Sequence, residues 1–171
     1  MTSAELVALA AIAEGKYAQA MPSFGPERRG APVAAYARLD EDPIRLRVGI
    51  RNPDVVVVLD PSLLSLPVIT QGLKEGGVVI ANFAGTLEEA REVLRGFGGR
   101  LAVVDATKIA MERLGRPITN TAMLGAFVKV TGAVRLESFE EPLREKFGKR
   151  APSNFYCMKD AFENTISSNG G

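Results

Sequence analysis

Asn52-Pro53-Asp54-Val55-Val56-Val57-Val58-Leu59-Asp60-Pro61-Ser62 sets an unbroken apolar run, Val55 to Leu59, between two turn signals. A run this short and this rich in branched side chains, with no polar alternation, predicts a strand buried on both faces. Such strands belong to parallel sheets covered by helices. The same pattern recurs downstream: Gly76-Gly77 leads into Val78 to Phe83, and Gly96 to Gly99 leads into Leu101 to Val104. Between these runs, Leu63 to Lys74 reads as a helix despite Pro67. Thr86 and Glu89 form a capping box that starts a helix running to about Arg95. A third helix is expected from Asp105 to about Leu114. Strand and helix alternating at this spacing predict right-handed βαβ units.

Toward the N-terminus, Thr2-Ser3-Ala4-Glu5 is another capping-box pattern. It predicts a helix with Leu6, Leu9, Ala10 and Ala13 on its buried face and a stop at Gly15. Met21 to Pro32 is dense in proline and glycine and reads as a loop. Val33 to Leu39 and Ile44 to Ile50 read as short strands around the turn Asp40-Glu41-Asp42-Pro43, an expected hairpin. Toward the C-terminus, Asn120 or Thr121 is expected to cap an apolar helix from Ala122 to Val130, with Gly125 permitting close packing. Leu136 to Phe147 reads as an amphipathic helix disturbed by Pro142. A last helix is expected over about 153–167, with Ser167 to Gly171 frayed. The predicted fold is α/β: a three-layer, Rossmann-like open sheet, mostly parallel with an antiparallel hairpin, helices on both faces, and a single domain over 1–171.

Composition narrows the chemistry. Among 171 residues there is no histidine and one cysteine, Cys157. That excludes Ser-His-Asp and Cys-His catalysis, most zinc and copper sites, an intrachain disulfide, and an ordinary iron–sulfur cluster, which needs about four thiolates. No catalytic residue and no metal ligand set is therefore assigned. Cys157, in an apolar helical setting, reads as buried and inert. Lysine plus arginine (21) nearly cancel aspartate plus glutamate (20), so nothing marks the chain as a binder of nucleic acid or of an anionic membrane. No apolar run approaches a membrane span, and no signal-peptide pattern opens the chain, so a cytoplasmic protein is expected.

The richest candidate site is the loop Met21 to Pro32, where Glu27-Arg28-Arg29-Gly30 places two adjacent guanidinium forks on a backbone restrained by proline. Such forks suit phosphate or carboxylate. The pair reads either as an anion clamp or as interface ion pairs. A second candidate is the carboxyl end of the sheet, where open α/β folds bind ligands. Asp60, Asn82 and Asp105 close strands there, and the two aspartates read either as ribose or orienting ligands or as helix caps. The helix start at Asn120-Thr121 offers free amides to an anion. Gly96-Phe97-Gly98-Gly99 lacks the dinucleotide-binding spacing and precedes a strand, so it reads as a turn.

Several blocks resemble the gamma chain of the pyruvate:ferredoxin oxidoreductase (2-oxoacid:acceptor oxidoreductase) family. They are Gly15-Lys16-Tyr17-Ala18-Gln19-Ala20-Met21-Pro22, Gly25-Pro26-Glu27-Arg28-Arg29-Gly30-Ala31-Pro32-Val33 and Asn52 to Asp60. Val103 to Thr107 and Asn120-Thr121-Ala122-Met123-Leu124-Gly125-Ala126 complete the set. They occur in family order over about residues 2–150. The resemblance implies a subunit of a cytoplasmic complex that converts pyruvate, coenzyme A and oxidised ferredoxin into acetyl-CoA, carbon dioxide and reduced ferredoxin, or the reverse. It implies that thiamine diphosphate, magnesium and iron–sulfur clusters reside in alpha, beta and ferredoxin-like delta partners, with none bound by this chain alone. It also implies that Glu27, Arg28, Arg29 and Gly30 reach the coenzyme A phosphates, with Asn120 and Thr121 as weaker candidates. The alternatives are an assembly subunit that only braces the thiamine-binding chains, or the gamma chain of a 2-oxoglutarate or branched-chain 2-oxoacid enzyme; the Asn120 block resembles the pyruvate enzymes more. Family members begin with a strand and a glycine-rich loop ahead of the first helix. Both are absent here, which reads as a truncated sequence, a misassigned start or an altered function; truncation is favoured, because a parallel sheet without that strand leaves backbone groups unpaired.

Overall fold

The computed structural model describes residues 2–22 and 32–168. Its elements run, in chain order, α1 (Thr2–Ala13), β1 (Tyr17–Pro22), β2 (Ala35–Asp40), β3 (Val55–Val58), β4 (Val78–Asn82), α2 (Leu87–Val93), β5 (Arg100–Val104), α3 (Ala106–Leu114), α4 (Asn120–Thr131), α5 (Glu140–Phe147), α6 (Ala151–Asn164) and β6 (Ile166–Ser167). One sheet has the order β3-β4-β5-β6; its first two pairings are parallel and its last antiparallel. β1 and β2 form a separate antiparallel ribbon.

The predicted α/β architecture holds because the apolar runs bury both sheet faces. Val78, Ile80, Ala102 and Val104 face α3, α4 and α6. Their neighbours Val79, Ala81, Leu101 and Val103 face the opposite way, toward α2 and the turns carrying Leu64 and Ile69. Each run thus sends alternate side chains into two cores. The capping box at Thr86 and Glu89 is present with both bonds. Gly15, at φ +83, ends α1 in the left-handed conformation that a Cβ disfavours.

Several expectations are corrected. β2 pairs with Tyr17–Pro22, not with Ile44 to Ile50, so the ribbon closes around the 23–34 connection and the start of the predicted loop is strand. Residues 43–50 take no regular structure. Val55 to Val57 are only half-buried, because among the described residues β4 alone pairs with β3, leaving it an edge strand. The helix predicted over Leu63 to Lys74 is replaced by short 3₁₀ turns at Pro61–Leu63 and Pro67–Ile69. Pro67 lacks the amide an α-helix interior requires and forces a restart. On α1, Leu9 and Ala13 face outward, and Leu6, Val7, Ala10 and Ala11 fill the core with Leu124, Val128, Phe139 and Leu143. The helix is apolar nearly all round, so its sequence cannot orient it. Leu136–Phe139 is a 3₁₀ turn and α5 starts only at Glu140, with Pro142 in its first turn, where a missing amide is tolerated. The last helix is Ala151–Asn164, and Ile166–Ser167 pairs with β5 where fraying was expected. Ser168 secures that end: its hydroxyl accepts from the Leu101 amide (3.1 Å) and from Arg91 (2.9 Å).

Gly125 fixes how the helical layer assembles. α4 and α6 lie so close there that a Cβ at Gly125 would overlap the Met158 carbonyl. The close packing expected at Gly125 is thus with α6, and the buried faces of both helices lie against the sheet.

Candidate functional site

The carboxyl ends of β3 and β4 open into a shallow crevice of about 360 Å³ lined by Leu59, Asp60, Asn82, Thr107, Ile118 and Asn120, among others. This is where open α/β sheets place ligands, and the volume lies near the lower end for small-molecule sites.

Asn82 organises the crevice. It is the last residue of β4 and 2% exposed. Its Nδ2 donates to the Leu59 carbonyl and to Thr107 Oγ1, both at 2.9 Å. Its Oδ1 accepts from the Ala106 amide (3.0 Å) and the Thr107 amide (3.3 Å). One side chain therefore ties the end of β3, the end of β4 and the first turn of α3 together. A buried amide can be kept only if its donors and acceptors are matched, and here they are. Thr107 thereby joins the site. The sequence signal for it was faint, a threonine one position into a helix.

The two aspartates resolve as caps. Asp105 Oδ1 accepts from the Lys108 amide at 3.0 Å and closes the N-terminus of α3. Asp60 Oδ1 accepts from the Ser62 amide at 2.9 Å, and the Ser62 hydroxyl and amide hold its carboxyl below the ordinary range. Asp60 still lines the crevice, so it would present a carboxylate to anything bound there.

Asn120 and Thr121, read together from sequence, part company. Asn120 lines the crevice. Thr121 is buried and points into the helical layer, where its hydroxyl donates to Asn154 Oδ1 at 3.0 Å, while Asn154 Nδ2 donates to the Arg150 carbonyl at 2.9 Å. Neither caps α4: the cap position is Thr119, whose side chain makes no capping bond. Beneath Thr121 sits Cys157, fully buried; burial pushes its thiol up, away from the reactive thiolate. Glu27, Arg28, Arg29 and Gly30 lie outside the described residues, between the paired ends Pro22 and Ala35 of the ribbon. Among the described residues no three His, Cys, Asp or Glu side chains are disposed to hold a metal ion, and no helix is long and apolar enough to cross a membrane. The crevice can position a small polar group through Asp60, Thr107 and Asn120, but it carries no acid–base pair or nucleophile.

Known proteins place this arrangement. The family model described as pyruvate ferredoxin/flavodoxin oxidoreductase matches residues 1–164. The pyruvate/ketoisovalerate oxidoreductases common subunit gamma of Thermococcus litoralis is 53% identical over 167 residues, 97% of this chain and 90% of that protein. The pyruvate synthase subunit PorC of Methanothermobacter marburgensis is 47% identical over 95% of this chain and 89% of its own length. In three dimensions, the crystal structure of the pyruvate oxidoreductase subunit PORC from Thermotoga maritima superposes with a TM-score of 0.86 at 39% identity, covering 98% of this chain and 90% of that one. With the family model matched over residues 1–164 and relatives alike in sequence and in fold over nearly the whole length, the chain belongs to the pyruvate ferredoxin/flavodoxin oxidoreductase family.

Proposed function

We propose that this chain is the gamma subunit of a cytoplasmic pyruvate (2-oxoacid):ferredoxin oxidoreductase. In that role it completes a coenzyme A site at a subunit interface, for the oxidative decarboxylation of pyruvate to acetyl-CoA and carbon dioxide with electrons passed to ferredoxin. The observation that carries the reading is 53% identity to a gamma subunit over 97% of the chain. A side-chain inventory without histidine and with a single cysteine agrees with it, because such a chain can position a reactant but has little with which to transform it. Thiamine diphosphate with its magnesium would supply the carbanion chemistry, and iron–sulfur clusters the electron path. On this reading they belong to alpha, beta and ferredoxin-like delta subunits, and a single cysteine falls short of the thiolates an ordinary cluster needs.

Within this reading, Arg28 and Arg29 pair with coenzyme A phosphates and Glu27 and Gly30 shape their loop. The ribbon β1–β2 supports the assignment: its last pair, Pro22 with Ala35, brings both ends of the connection to one place. Asn120 contributes at the crevice. In the assembled enzyme, Arg28→Ala with Arg29→Ala should raise the KM for coenzyme A about tenfold or more while the complex stays whole on size exclusion, because bidentate phosphate contacts are lost. Dissociation of the complex with coenzyme A affinity unchanged would instead assign the two arginines to bracing the thiamine-binding subunits. The isolated chain should show no 2-oxoacid oxidation.

A further inference from the structure

Residues 44–51 read Ile44-Arg45-Leu46-Arg47-Val48-Gly49-Ile50-Arg51, a strict alternation of apolar with arginine or glycine. Such alternation is the signature of a strand with one apolar and one polar face. Yet the segment joins neither sheet; it runs without a bend from Ile44 to Arg47 and bends at Val48 and Arg51. Arg38 of β2 holds it by hydrogen bonds to the Leu46 carbonyl (3.2 Å) and the Val48 carbonyl (3.3 Å), and the Tyr36 ring lies beside Gly49. Two carbonyls two residues apart turned toward one guanidinium describe a chain of strand-like pitch, presenting one side to β2. The backbone groups of Arg45 and Arg47 then point the other way, and among the described residues they have no hydrogen-bond partner. The arginine row stands in solvent, as do Leu46 and Val48 at the middle of the apolar row, while Ile44 and Ile50 at its ends are half-buried. Leu46 is 62% and Val48 61% exposed, and Arg45, Arg47 and Arg51 enter no ion pair among the described residues.

An exposed strand-like segment with unpaired backbone and adjacent bare aliphatic side chains is a template for strand addition. Its charge selects the occupant. A second copy pairing antiparallel about Leu46 would set Arg45 against Arg47, and pairing about Arg47 would set that residue against itself. Parallel in-register pairing stacks every arginine on its twin, and directly opposed like charges destabilise a pair. We propose that residues 44–51 are a docking strand for a partner subunit, which adds an edge strand bearing carboxylates opposite Arg45 and Arg47 and apolar side chains opposite Leu46 and Val48. The inference rests on the subunit reading above and extends it to a named surface.

The test uses the full chain, alone and co-assembled with its alpha, beta and delta partners. Hydrogen exchange of the peptide spanning residues 43–51 should slow markedly on assembly. Arg45→Glu with Arg47→Glu should weaken assembly about tenfold or more and flatten its salt dependence. Arg45→Lys with Arg47→Lys should restore most of the affinity, and the isolated variants should melt like the parent chain, since both positions are exposed. A complex that forms with this peptide still exchanging freely would overturn the docking strand and leave the subunit reading standing. Protection that survives the charge reversal at full affinity would remove the acidic partner strand and with it the proposal, as would protection that appears in the isolated chain on self-association. Failure of the parent chain to assemble with any of the three partners would overturn both readings together.

Discussion

The parallel sheet and the β1–β2 ribbon both sit on the helical layer, but they are held by different forces. In the sheet, β4 is entirely buried, Gly125 lets α4 and α6 close up beneath it, and Asn82 binds three elements from inside. The ribbon packs Ala18, Ala37 and Leu39 on that layer, but its side of the molecule is fastened in addition by charged side chains that hydrogen-bond to neighbouring segments. Lys16 Nζ donates to the Ala133 carbonyl at 2.6 Å, Arg38 grips two carbonyls of the 44–50 segment, and Glu14 Oε1 accepts from the Arg135 amide and the Ser138 hydroxyl, each at 2.6 Å. The first mode depends on packing and exclusion of water. The second depends on charge, and so on pH and salt.

The contrast can be broken at its strongest point first. Gly125→Ala drives a methyl group into the Met158 backbone, which has no flexible tip to move aside. Denaturant melting should register a loss of about 3 kcal/mol, the upper end for overpacking. A loss near zero would mean that the helical layer is loose and the contrast false.

Asn82→Leu keeps the volume but strands the Ala106 and Thr107 amides and the Leu59 carbonyl. It should cost about 2 kcal/mol in the same measurement. A neutral result would show that water can replace the side chain at the crevice floor.

The smallest effect belongs to the ribbon side. Burial alone would push the Glu14 carboxyl up. The Arg135 amide, the Ser138 hydroxyl and the charges of Lys16 and Arg135 outweigh it, and the carboxyl titrates below the ordinary glutamate range. With the folded-state pKa below the unfolded one, the stabilisation is complete above about pH 4.3 and is lost as the pH falls through the lowered value. Glu14→Gln should therefore cost about 1 kcal/mol at neutral pH, and the gap from the parent chain should close in acid. A gap independent of pH would show that shape, not charge, secures this end of α1.

Much of this molecule was legible in the residue order. The valine run, the Thr86 capping box, the Asp105 cap and the small residue at Gly125 each act through neighbours a few positions away or through simple exclusion of volume. The ribbon was misread because Tyr17 to Pro22 and Ile44 to Ile50 are equally good strands locally, and only long-range pairing chose the former. The crevice was half visible: Asp60 and Asn82 mark strand ends, while Thr107 and Ile118 enter it through the path of the chain. Thr121 was misplaced because adjacent helical residues point about 100° apart, so one faces the crevice and the next faces α6.

The sequence by itself determined the layered α/β class, the positions of the buried strands and the poverty of reactive groups. Burial pattern, caps and composition are local or additive properties. Only the tertiary structure decided which strand partners β2, that β3 pairs with β4 alone among the described residues, that Asn82 is the tie at the crevice floor, and that the arginine-bearing segment 44–51 is left without a sheet. Each of those is a contest among distant groups for the same hydrogen-bonding positions, and the outcome depends on the packing of the whole chain.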